Sequence, residues 1–216
     1  MLSEKHKTLL IDLDSQNALT DYFFEDYQDI TIYEALKGDV PFKQSIKQIS
    51  DNLSVIPNKV NFEEIDNWSL TGKEFLLKDA LGLIEDDFEY VVIDTPPSLK
   101  TETVIGLVTS NIVIIPARLE KMDTRAIDFT IEKINNQIKK HFNPSLKDVF
   151  ILGTQYNYQN RSVNDLAYET LQEKYGEMLL KFKIPYSSKI SQFNYIGYDK
   201  KEVNFEEYRN LLEVVK

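Results

Sequence analysis

Residues 8–20, TLLIDLDSQNALT, together with residues 90–99, YVVIDTPPSL, decide how the rest of the chain is read. Each is a short apolar run that ends in acid where a strand should stop. Leu9, Leu10, Ile11 and Leu13 make a buried-strand pattern, with Asp12 and Asp14 at its carboxyl end. Val91, Val92 and Ile93 repeat it, with Asp94 at the tip. Pro96-Pro97 then forbids further ladder pairing. In open parallel sheets, ligands bind just beyond the carboxyl ends of the strands. Carboxylates set there in pairs hold a hydrated Mg²⁺ and orient an attacking water.

Outward from these runs, helical and strand periods alternate. Residues 17–24 can start a helix, and residues 31–39 form a short amphipathic helix stopped by Gly38. Residues 41–50 can form another helix. Residues 53–59, LSVIPNK, read as a short edge strand ended by Pro57. Residues 72–87 follow a helical period, and residues 101–109 form a helix. Residues 111–117, NIVIIPA, read as a fully buried strand. Residues 123–140 are a long helix with Ile127, Ile131, Ile134 and Ile138 on one face. Strand 149–156, helix 162–175, strand 178–185 and a terminal helix at 204–215 complete the series. Such alternation predicts one α/β domain over residues 1–216, a parallel sheet with helices on both faces.

Composition narrows the class. A chain of 216 residues is one ordinary domain or at most two small ones, and 42% hydrophobic residues with a mean hydropathy of −0.35 suit a soluble globule. No apolar run approaches the roughly 20 residues of a membrane span, and MLSEKHK lacks the apolar core of a signal peptide. With no cysteine there is no disulfide and no thiolate metal site. A cytoplasmic protein is the natural reading. The net charge of −10 argues against a generic nucleic-acid binder, though a local basic patch remains compatible with it. His6 and His141 have no paired ligand spacing and read as surface residues. Trp68 reads as a packing residue.

The two opening stretches resemble the ParA/MinD family of deviant-Walker (SIMIBI) ATPases, in its ParA/Soj partition branch. The family's IDxDxQ motif is similar to Ile11-Asp12-Leu13-Asp14-Ser15-Gln16, with Ser15 where a proline is usual. Its Walker B motif IDTPPSL matches Ile93–Leu99 letter for letter. The resemblance implies a P-loop-NTPase-like sheet with ATP and Mg²⁺ as cofactors. Asp14 would position the attacking water, Asp12 would help fix the Mg²⁺ shell, and Asp94 would hold the ion through water. Thr95, Pro96 and Pro97 would sense the γ-phosphate. The stretch Tyr156–Arg161 resembles the family's TxYDxRTxLS turn beside the adenine pocket and the dimer face, which makes Asn157 and Arg161 candidate nucleotide contacts. A plain polar turn reads equally well there. Residues 184–192, IPYSSKISQ, resemble a segment whose basic residues bind DNA without reading sequence. On that resemblance Lys189, Lys183 and Arg161 are candidate DNA contacts, the alternative being a solvated lysine face. The implied partners are non-specific DNA, a ParB-like centromere-binding protein and a second copy of the chain, with no membrane. The composition also suits a spirochaetal plasmid partition protein.

The family's phosphate loop is not found. No GxxxxGK[ST] run occurs in this sequence, and seven residues precede Thr8. Three expectations follow. The chain is a family domain lacking its first strand and loop. It binds ATP·Mg²⁺ no better than millimolar, because a phosphate loop supplies the backbone donors and lysine that offset triphosphate charge. Strands 91–93 and 112–114 pair directly, in place of the strand that would stand between them. The function expected is ATP-switched DNA partition. The rival is an interaction module of the same ancestry without nucleotide chemistry.

Overall fold

Strand β1 (Thr8–Asp12) is hydrogen-bonded on both sides, which is why its sequence is apolar almost throughout. The computed structural model describes residues 1–59, 65, 68, 71–119, 124–187 and 206–215. These fall into two compact units, Met1–Thr109 and Ser110–Lys216.

In the first unit, β1 lies parallel to β3 (Leu53–Ile56) on one side and to β4 (Tyr90–Asp94) on the other. A further strand, β2 (Lys47–Ser50), runs antiparallel to β3, so the order is β2-β3-β1-β4. Helices α1 (Ala18–Phe23), α2 (Ile32–Lys37), α3 (Leu76–Gly82) and α4 (Thr101–Thr109) accompany these strands. Leu9, Ile11 and Leu13 join Ile32, Leu36, Ile56, Leu77 and Ile105 in one core. Alternation along β1 thus buries one face against α2, α3 and α4. Helix α2 begins in a capping box between Thr31 and Glu34 and ends at Gly38, whose φ of 82° a side chain would resist.

Three local expectations are corrected. Residues 41–50 are not a helix: a 3₁₀ turn at Phe42–Ser45 leads straight into β2. Residues 53–56 are not an edge strand, because β2 folds back on them through a two-residue turn at Asp51-Asn52. One hairpin, joined by that two-residue turn, accounts for both. The helix expected at 72–87 shortens to α3 after a 3₁₀ turn at Lys73–Phe75, leaving Leu83 73% exposed.

In the second unit, β5 (Ile112–Arg118), β6 (Asp148–Tyr156) and β7 (Leu179–Pro185) are all parallel, in the order β5-β6-β7. Helices α5 (Thr124–Lys133), α6 (Arg161–Tyr175) and α7 (Glu206–Val214) cover it. Ile151 faces a core with Ile127, Ala167 and Leu171 from α5 and α6. The neighbouring Leu152 faces another with Leu180, Ile184, Tyr208 and Leu211. Helices therefore lie on both faces of this sheet, as its strand alternation requires. The long helix expected at 123–140 is α5 continued by π-type turns at Ile134–Phe142, with Ile134 and Ile138 still buried.

Direct pairing of residues 91–93 with 112–114 is not formed. Among the described residues, β4 bonds only to β1 and β5 only to β6. Each strand's register is fixed by its own ladder and helices, and an apolar sequence carries no register of its own. Nor is either strand fully buried: Val91 and Val92 are 38% and 43% exposed, and only Ala117 of β5 is buried.

Candidate functional site

The first unit gathers the opening acids. Asp12 and Asp94 are register partners at the carboxyl ends of neighbouring parallel strands, and the Leu13 amide donates to the Asp94 carbonyl at 2.8 Å. Asp12 is fully buried, and both of its oxygens are engaged. Oδ1 accepts from the Asp14 amide at 3.0 Å, while Oδ2 accepts from the Thr20 amide at 2.8 Å and the Thr20 hydroxyl at 2.6 Å. The same hydroxyl accepts from the Asn58 amide at 2.8 Å, and Asn58 Nδ2 donates to the Asp14 carbonyl at 3.4 Å. Asp12 therefore ties α1 and the segment after β3 to the end of β1. Its burial raises its carboxyl above the ordinary range, against the lowering effect of the Thr20 bonds.

Asp14 lies one step further out, where Oδ1 accepts from the Gln16 amide at 3.0 Å. Asp94 is exposed as a residue, yet its carboxyl is desolvated and faces Asp12 and Asp14. Partial burial first, and then those two charges, push it up to about 6. No lysine or arginine among the described residues pairs with any of the three acids. They supply acceptors only, which suits a hydrated cation and not phosphate oxygens. Among the described residues no three His, Cys, Asp or Glu side chains converge as a ready-made metal cluster.

Thr95 follows Asp94 and packs on α4. A Cβ built on Gly106 would come within 2.8 Å of Thr95 Cγ2 and 3.6 Å of Ile93 Cγ2, so the glycine is what lets α4 approach. The Pro96 carbonyl accepts from the Thr103 hydroxyl at 3.2 Å, which anchors the turn to the first part of α4. Sequence reasoning missed Gly106, Thr20 and Asn58. Nothing in their spacing marks them, since each acts through a contact made after folding.

The second unit holds the remaining candidates. Asn157 closes an Asx turn by accepting from the Gln159 amide at 2.9 Å, and its own amide donates to Asn164 Oδ1 at 2.5 Å. Asn164 is 1% exposed, and its Nδ2 has no partner among the described residues. Just before this turn Gln155 takes φ 59°, a left-handed conformation unusual for a residue with a side chain. Arg161 opens α6 and donates through Nε to Asp165 Oδ2 at 3.3 Å. Lys183 of β7 donates to Asp165 Oδ1 at 3.0 Å. Two of the three cations nominated for phosphate, Arg161 and Lys183, thus share one carboxylate, and Asp165 was also missed, although it stands at i+4 from Arg161. Lys189 lies outside the described residues.

Residues 1–148 match the AAA_31 family, described as an AAA domain. The chromosome partitioning protein ParA of Myxococcus xanthus is 27% identical over 221 residues, 96% of this chain and 76% of that protein. The crystal structure of a putative plasmid partition protein from Borrelia burgdorferi B31, bound to AMPPNP, is similar at a TM-score of 0.81 and 28% identity. That likeness covers 99% of this chain and 87% of the other. Cobyrinic acid a,c-diamide synthase from Mycobacterium smegmatis, solved with an ATP analog and magnesium, gives a TM-score of 0.75 at 27% identity, over 84% of this chain and 75% of that one. Among the described residues no helix is long and apolar enough to cross a membrane. The motifs, the parallel α/β architecture and these likenesses agree: the chain belongs to the AAA_31 family and to the ParA/MinD partition ATPases.

Proposed function

We propose that this chain is a ParA-type partition protein, acting in the cytoplasm on DNA with a centromere-bound partner and a second copy of itself. The observation that carries the reading is the carboxylate pair Asp12 and Asp94, held in register on adjacent parallel strands with Asp14 and Thr95 beside it. In this reading Asp94 holds Mg²⁺ through water, and a bound Mg²⁺ offsets phosphate charge. Asp14 orients water, and Asp12 holds the loop that carries Asp14. Thr95 is the γ-phosphate sensor, braced by Gly106. Asn157 and Arg161 contact the nucleotide, while Lys183, Lys189 and Arg161 contact DNA.

The second reading is an interaction module of the same family without nucleotide chemistry. It is favoured by the absence, among the described residues, of any cation paired with the three acids. Calorimetry separates the two. The second reading expects ATP·Mg²⁺ to bind no better than millimolar, roughly −4 kcal/mol. Micromolar affinity that disappears in Asp94→Ala would establish nucleotide binding at this site and remove the second reading. Undetectable binding, equal in both proteins, would remove the first for this polypeptide.

A further inference from the structure

At the carboxyl end of the second unit's sheet, one carboxylate takes three donors. Asp165 Oδ1 accepts from Lys183 Nζ at 3.0 Å and from the Tyr156 hydroxyl at 3.0 Å, and Oδ2 accepts from Arg161 Nε at 3.3 Å. Lys183 is also walled by two rings, with Nζ 4.6 Å from the Tyr156 centroid and 4.3 Å from that of Tyr168. Tyr168 is itself fixed by donating to the Leu180 carbonyl at 2.8 Å. The cluster is superficial: the Lys183 and Asp165 side chains are 26% and 33% exposed, and Arg161 is 75% exposed. Lys181 stands two residues before Lys183 on the same face of β7, opposite the buried Leu180 and Ile184.

We propose that Asp165 masks an anion-binding patch formed by Lys183 and Arg161, and that this carboxylate sets how strongly the chain grips the phosphate backbone of duplex DNA. The inference rests on the DNA-binding reading above and gives it a residue of opposite sign. Polyanion affinity depends on how many cations can exchange a counterion for a phosphate. A lysine already paired with a carboxylate at 3.0 Å has little to offer a phosphate, and Arg161 is drawn to the same group. The tyrosine rings matter because they keep Lys183 in place once the carboxylate is gone. A cation over an aromatic face is attracted by the ring quadrupole. Removing the charge of Asp165 therefore leaves an ordered cation and not a floppy one.

The test is fluorescence anisotropy with an arbitrary-sequence duplex at several salt concentrations, using the full chain. Asp165→Asn is expected to bind on the order of tenfold more tightly at low salt, with a log–log salt slope steeper by about 1, the value of one added phosphate contact. Glu169→Gln, one helical turn along α6, changes the net charge equally and is expected to shift affinity less than about twofold. Adding Lys183→Gln to Asp165→Asn is expected to cancel the gain. Equal behaviour of Asp165→Asn and Glu169→Gln overturns the proposal. A second charge-removing variant, Asp165→Ser, guards against a folding defect of Asp165→Asn and is expected to show the same gain. A cost of Lys183→Gln that is equal in the native and Asp165→Asn backgrounds would also overturn the proposal. Failure of the native chain to bind duplex removes the DNA reading alone, because a gain in Asp165→Asn would still establish the mask.

Discussion

At the end of β4 a carboxylate faces two others, with no cation among the described residues paired to any of them. Asp94 titrates near 6 in the folded chain and near 3.8 when unfolded. The folded state therefore holds its proton more tightly, so stability falls as pH rises from about 4 to about 6. Thermal melts of the native chain minus those of Asp94→Asn should show that fall, with Asp94→Asn the more stable protein at pH 7 without Mg²⁺. Millimolar Mg²⁺ should narrow the difference. A difference independent of pH would show that neither burial nor the neighbouring acids hold Asp94 above its ordinary range. Thr20 offers a sharper case. Thr20→Val removes the hydroxyl that joins Asp12 to Asn58, all three residues being fully buried. Unfolding in denaturant should show a loss of about 1–3 kcal/mol, the cost of leaving buried polar groups unsatisfied. Gly106→Ala places a carbon 2.8 Å from Thr95 Cγ2, and overpacking of this kind costs about 1–3 kcal/mol. An unchanged denaturation midpoint would mean that α4 yields freely. The acids themselves were legible from sequence because charge at the end of an apolar run has few other uses. Their supports were not, since Thr20 lies eight residues from Asp12 and Asn58 a further 38, with no periodicity linking them.

Among the elements, legibility tracked how local the cause was. Helix α2 was read closely because its stop and start are written in neighbouring residues: Thr31 and Glu34 at one end, Gly38 at the other. Gly38→Ala should cost about 1 kcal/mol or more, because the left-handed φ of 82° disfavours a side chain while little packing changes. Strand β2 was misread because KQSIKQIS carries enough helical residues to mask a hairpin that only its partner β3 enforces. Tertiary pairing overrode propensity there. The strand also shows how its edge is kept from growing: it is four residues long, carries Lys47, and shifts register between Gln48 and Ser50. Burial of β4 was overestimated for a similar reason. Apolar residues show what a strand can tolerate, but not whether a neighbour covers it.

For the molecule as a whole, the alternation of strand and helix was enough to give the α/β class, and two motifs were enough to give the family. That the described strands form two sheets was not legible, because hydrogen-bond registers between distant strands leave no trace in composition. The reading of residues 1–216 as one domain predicts a single cooperative unfolding transition, with tertiary and secondary-structure probes coinciding. Two separated transitions, or a stable fragment ending near Thr109 after limited proteolysis, would show that the two units fold independently.

Strand order also sets a timetable. In the β1–β4 ladder Thr8 pairs with Tyr90, a separation of 82 positions, whereas β2 and β3 meet across two residues. At a synthesis rate of about 5–20 residues per second, β1 exists for roughly 4–16 s before its second neighbour has been made. The β2–β3 hairpin closes within microseconds of emerging and can seat β1 on one side long before then. The apolar strand at the centre of the site is thus chaperoned first by a local hairpin that takes no part in the chemistry. Asp12 finds its register partner last, once Asp94 leaves the ribosome.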